Sequence, residues 1–219
     1  MKKLLVVVIL GLSSLAAFTQ GTMNFFNLFS STTFRAPIFG PVPSNPSLSI
    51  VGNGTGTLFF PQGTTSYQGA SLLSGTGFSL AFFGGPSSVI DPANLTLVTQ
   101  TTFRTGTAAG FIFSMVNIPV PGVQPGTIAK FQVRVWDNKA GSVTSWAQAL
   151  LDNSVAKGTS PVVTMTDPLG GTDSNGVLFP LNPDSTGWTS FNVTIVPEPS
   201  AFVLAGLGAV SLFLIRRRK

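Results

Sequence analysis

Between residues 21 and 195 no stretch keeps apolar residues at a sustained helical spacing, and glycine and proline break the sequence into short runs. The chain holds 24 Gly and 16 Pro in 219 residues, so long uninterrupted elements are excluded. Where the runs show a pattern, its period is two. Lys130 to Trp136 sets Phe131, Val133 and Val135 on one side and Lys130, Gln132, Arg134 and Trp136 on the other, which predicts a strand with one core face and one wet face. Trp188 to Val196 repeats this, with Phe191, Val193 and Ile195 inward and Ser190, Asn192 and Thr194 outward. Further strands are expected over 57–60, 78–83, 95–103, 111–118, 162–166 and 177–179. Turns are expected at Gly52-Asn53-Gly54, Gly84-Gly85-Pro86, Pro121-Gly122, Pro125-Gly126 and Asn175-Gly176. The one candidate for a brief helix is 145–151. The fold class this predicts is all-β, an antiparallel β-sandwich of jelly-roll type, its two sheets held about 10 Å apart by many of the 19 Phe.

The formal net charge of +5 belongs to the ends of the chain, not to this body. Lys2, Lys3 and the run Arg216, Arg217, Arg218 and Lys219 supply six cations, whereas residues 21–195 balance Arg35, Arg104, Lys130, Arg134, Lys139 and Lys157 against six Asp. A neutral body lacks the basic face that nucleic-acid binding needs, so no nucleic-acid partner is expected. The chain has no His and no Cys, which removes the usual ligands of zinc, haem and iron–sulfur centres; no cofactor and no metal site is expected.

Catalysis near neutral pH needs groups that exchange protons, and here the choice is narrow. The only Glu is Glu198, in the tail. The six Asp sit beside proline or at expected strand ends, where a carboxylate caps its own turn. A serine nucleophile without histidine needs a lysine base, and none is expected here. The body is therefore read as non-enzymatic. Asp167, Asp173 and Asn175 lie close in sequence as oxygen ligands for calcium, but their spacing does not follow the EF-hand pattern. Trp136, Trp146, Trp188 and Tyr67 are the aromatic candidates for stacking on sugar. Trp136 leads them because alternation puts it on the wet face, with packing against 145–151 as the competing reading.

The two ends carry clearer signals. Residues 1–20 run from Lys2-Lys3 through the apolar Leu4 to Leu15 into small and polar residues, the layout of a secretory signal peptide with its mature start near Ala17 or Gln20. At the other end Val196-Pro197-Glu198-Pro199-Ser200 precedes Ala201 to Ile215, which carry no charge, and then four consecutive cations. The two prolines prevent a helix from running back through Glu198, so a single apolar helix is expected from about Ser200, rising roughly 22 Å. Its basic end favours the cytoplasmic face. The expected organisation is a signal peptide at 1–20, a β-sandwich domain at 21–195 and a tail at 196–219, with an ordinary C-terminal anchor on a proline-rich stalk as the competing reading of the tail.

This tail resembles the PEP-CTERM sorting signal of Gram-negative bacteria, which exosortases recognise. The resemblance implies that Pro197, Glu198 and Pro199 are the recognition element, Ala201 to Ile215 the membrane segment, and Arg216, Arg217, Arg218 and Lys219 the retention cluster. It further implies an exosortase as processing partner, transient anchoring in the membrane, export across the inner membrane to the cell surface or extracellular matrix, and a link to exopolysaccharide and biofilm matrix. The body segments Gln20 to Phe25, Phe103 to Gly106, Gln132 to Asp137 and Ser190 to Ile195 are similar to uncharacterised PEP-CTERM proteins numerous in Verrucomicrobia-type genomes, a likeness that brings no known activity. The expected role is a non-enzymatic surface or matrix protein, with a carbohydrate-binding module as the alternative.

Overall fold

The computed structural model describes residues 19–29, 34–60, 62–179 and 183–196. Residues 1–18 of the expected signal peptide, the PEP motif, the apolar segment and the basic cluster lie outside these ranges. The regular elements of the described chain are mostly strands, with one short α-helix.

Its main sheet is built on the alternating run that the sequence marks. Strand β8 (Ala129–Asp137) pairs antiparallel along its whole length with β5 (Phe78–Pro86), which in turn pairs with β6 (Thr96–Thr102). On the far edge of β8 lie the short strands β9 (Lys157–Thr159) and β10 (Val163–Thr164). The register places Leu80 opposite Val135 and Phe82 opposite Val133, and all four are fully buried on one face. Over that face lies the ribbon of β1 (Thr22–Phe25) and β7 (Met115–Pro119), whose Met23, Phe25 and Ile118 join the same core. The Phe25 and Phe82 rings meet with centroids 4.3 Å apart, and Phe82 meets Phe131 at 5.0 Å. Burying each such ring contributes about 1.5–3 kcal/mol, and this aromatic column joins the ribbon to the sheet.

Three further two-stranded sheets complete the described elements: β2 (Leu28–Phe29) with β3 (Phe34–Arg35), β11 (Gly171–Thr172) with β12 (Leu178–Phe179), and β4 (Ile38–Phe39) with β13 (Phe191–Asn192). The last pair is parallel. Among the described residues the material facing the main sheet is thus a set of ribbons, where a jelly roll was expected to show a second continuous sheet.

Several expectations change in the structure. Gly84-Gly85-Pro86 is not a turn; β5 continues through it, paired with Phe131, Lys130 and Ala129. A Cβ on Gly84 would sit 3.1 Å from methyl groups of both Val98 and Val120, so glycine serves close packing there. Residues 57–59 form a turn instead of a strand. Ser190 and Asn192 are buried, not outward, because the loop before residue 51 folds over them: Asn192 Oδ1 accepts the Ile50 N–H at 2.7 Å and its amide donates to the Leu48 carbonyl at 2.9 Å. The brief helix forms as expected, as α1 (Trp146–Leu151). Its N-cap Ser145 accepts from the Gln148 N–H while the Gln148 side chain accepts from the Ser145 N–H, a reciprocal cap that fixes where the helix starts.

Candidate functional site

The second face of the main sheet, opposite the core, carries Ala81, Phe83, Gln132, Arg134 and Trp136 by strict alternation. At one end α1 lies on it, and this corrects the placement of Trp136 on a wet face. Trp136 is fully buried, its indole N–H donates to the Val143 carbonyl at 3.0 Å, and its ring meets that of Trp146 edge-on at 6.1 Å. With Ala81, Val143, Ala149 and Val155 it makes a second small core beneath the helix. Alternation gives the face correctly, and the competing reading, packing against 145–151, is the one that holds for Trp136. Trp188 and Tyr67 are buried as well, which leaves only Trp146 half-exposed among the four aromatic candidates.

Beyond the helix the same face opens into a cleft of about 570 Å³. Its floor is Phe83, Gln132 and Arg134; one wall is Trp146 and Leu150 of α1, and the other is Leu95 after the single-turn helix Pro92–Asn94. Arg134 is the charge at its centre and is only 7% exposed. Its Nε donates to Gln132 Oε1 at 2.9 Å and its Nη2 to the Pro92 carbonyl at 2.6 Å. Its guanidinium carbon lies 4.0 Å from the Phe83 ring centroid and 5.8 Å from that of Trp146, so the cation rests between two aromatic rings. Burial pulls its pKa below the ordinary arginine value, though arginine stays charged in proteins. Among the described residues the one ion pair within 4.0 Å is Lys139 with Asp137, so no carboxylate neutralises Arg134. In the sequence Arg134 stands out only as an outward position of the β8 alternation, alongside Lys130, Gln132 and Trp136.

The six aspartates have other work. Asp91, Asp137, Asp152 and Asp173 each accept the backbone N–H two residues ahead, and Asp173 also that of Val177, four ahead, to close the β11–β12 turn. Asp167 accepts the Thr166 hydroxyl, and Asp184 accepts the Asn24 amide at 3.0 Å. Among the described residues no three acidic groups gather where they could hold a metal ion. The expectation of no lysine base overlooks one Ser-x-x-Lys spacing, Ser154 to Lys157. There Ser154 Oγ donates to Asp152 Oδ1 at 2.7 Å, while Lys157 Nζ donates to the Ala149 and Asp152 carbonyls at 2.8 Å each, so the amine is spent on holding the end of α1.

Pro197, Glu198, Pro199 and the cluster Arg216, Arg217, Arg218 and Lys219 lie outside the described residues. Among the described residues no helix is long and apolar enough to cross a membrane. The family model of the PEP-CTERM protein-sorting motif matches residues 196–219. No curated protein and no solved structure matches the chain.

Proposed function

We propose that this chain, which carries the PEP-CTERM protein-sorting motif at residues 196–219, is a non-enzymatic surface or matrix protein that an exosortase processes and delivers outside the cell. The motif itself implies exosortase-dependent export and cell-surface sorting in Gram-negative bacteria, and it is the observation that carries the reading. Residues 1–20 act as the signal peptide, residues 201–215 anchor the precursor transiently in the membrane, and the body is a β-sandwich in irregular form, a main sheet faced by ribbons. A structural role among extracellular polymers fits a neutral body whose carboxylates cap turns or bind neighbouring side chains. The carbohydrate-binding alternative loses its leading residue, because Trp136 is fully buried.

Glu198→Gln removes the one carboxylate of the motif without touching the described body. In the native host the variant is expected to accumulate as a membrane-bound precursor while the wild-type chain reaches the exterior. Fractionation and mass determination of the product check this. Release of the same mature form from the variant sinks the sorting mechanism.

A further inference from the structure

We propose that the cleft over Arg134 binds a small organic carboxylate with an apolar body. The argument begins with the hydrogen-bonding inventory of the guanidinium. Nε and Nη2 have protein acceptors, and Nη1 has none. The sealed polar side-chain atoms without partners among the described residues are Arg35 Nε and Ser190 Oγ, so Nη1, which is not one of them, keeps access to the cleft. A cation that is 93% removed from solvent, held between two rings and given no counter-charge, costs stability unless an anion or water reaches its free edge. Arginine presents that edge as a planar donor, which suits a carboxylate.

The charge count limits the ligand to one negative charge. Neither neighbouring lysine points at the cleft with a free amine: Lys157 Nζ is held by two carbonyls, and Lys130 Nζ donates to the Val89 carbonyl at 3.0 Å. A phosphate dianion would therefore remain half neutralised. The rest of the ligand must satisfy walls made chiefly by Phe83, Leu95, Leu97, Trp146 and Leu150, two of which stand strongly exposed at the mouth, Leu97 at 51% and Leu150 at 53%. A volume of about 570 Å³ lies within the range of roughly 300–1,000 Å³ typical of small-molecule sites. A bare inorganic anion would leave those side chains wet, and a neutral apolar molecule would leave Arg134 unpaired. An aliphatic or aryl monocarboxylate meets both demands.

The test uses the full-length chain in a neutral detergent and follows tryptophan fluorescence, because Trp136 and Trp146 line the cleft and Trp188 does not. The probes are hexanoate, hexanamide as its uncharged counterpart, and glucuronate as a carboxylate with a polar body. Hexanoate is expected to give a saturable change in the millimolar range or below, with both other probes weaker by about tenfold or more, the factor that about 1.4 kcal/mol produces. Leu150→Glu places a negative charge at an exposed position on the mouth and is expected to weaken hexanoate by about tenfold at low salt, with an unchanged unfolding midpoint. Arg134→Gln, if it folds, should bind hexanoate no better than hexanamide. Equal binding of hexanamide by the wild-type chain, binding of glucuronate as tight as that of hexanoate, no saturable hexanoate signal, or a folded Leu150→Glu chain with wild-type affinity would each overturn the proposal.

Discussion

Asn27 offers the sharpest test of how the N-terminal strands are held. It sits in the bend between β1 and β2, fully buried. Its side-chain oxygen accepts the Ile112 N–H at 2.9 Å, and its amide donates to the carbonyls of Ala36 at 3.1 Å and Gly110 at 2.8 Å. Replacing it by leucine keeps the approximate volume and removes all three bonds. The Gly110 carbonyl still receives the Ile38 N–H at 3.1 Å, so two groups, the Ile112 N–H and the Ala36 carbonyl, lose their partner in a place water does not reach. Each stranded group costs about 1–3 kcal/mol, giving a loss of about 2–6 kcal/mol against a typical total of about 5–15 kcal/mol. Urea unfolding followed by circular dichroism reads this as a lowered midpoint with an unchanged slope. Asn27→Asp adds a signed control. A carboxylate there would face two carbonyl oxygens, so its folded pKa lies above the unfolded value of about 3.9. The penalty is absent below that unfolded value and grows to full size as pH rises through the folded one, so the aspartate chain should approach the wild type as pH falls. A leucine variant within about 0.5 kcal/mol of wild type, the scatter of an ordinary surface change, or an aspartate deficit indifferent to pH, refutes the bonding scheme.

Tyr67 is the only tyrosine, so its ionisation can be watched directly in the ultraviolet. Burial pushes its phenol above the ordinary value, while its hydroxyl donates to the Gly52 carbonyl at 2.7 Å. Because the folded pKa is the higher one, its contribution to stability is complete below about pH 10 and is lost as alkali rises past it. Phenolate absorbance is expected only together with unfolding; its appearance in a chain that keeps its far-ultraviolet spectrum contradicts the burial. Ser145→Ala removes the N-cap of α1 and is expected to cost about 1 kcal/mol and to raise the solvent exposure of Trp146, read as greater acrylamide quenching. Quenching identical to wild type would show that the cap does not hold the cleft wall.

What the sequence reveals about this molecule divides by range. Period-two alternation in Lys130 to Trp136 places β8 and assigns its faces correctly, because both follow from neighbouring residues. The fate of the second face depends on α1 folding back across it, so alternation alone leaves Trp136 either wet or packed on 145–151, and the structure shows the second. Gly84-Gly85-Pro86 carries the same letters whether the chain turns or two valine methyls press on the sheet, and only the packing distinguishes them. The strands before residue 40 are two to four residues long, and two of them, β1 and β4, owe their pairing to partners far along the chain, as Ile38 does to Phe191. They leave no local period to detect. The sorting motif was legible because its parts are contiguous. The Arg134 site was visible only as an alternation position. Its missing counter-charge is a property of the assembled cleft.

The joining of the first strands to the last has a consequence for how the chain is made and delivered. The Asn24 N–H bonds to the Pro183 carbonyl, the Val193 N–H to that of Phe39 and the Ile195 N–H to that of Pro46. Until the segment from Pro183 onward has emerged, β1 lacks its bond to Pro183 and β4 lacks its parallel partner β13, so a half-emerged polypeptide has no finished body. Closure and presentation of the tail must come almost together, since Ile195 is knotted to Pro46 and the sorting motif begins at the next residue. Pulling on the tail therefore loads the Ile195–Pro46 bond first, with the parallel β4–β13 pair behind it.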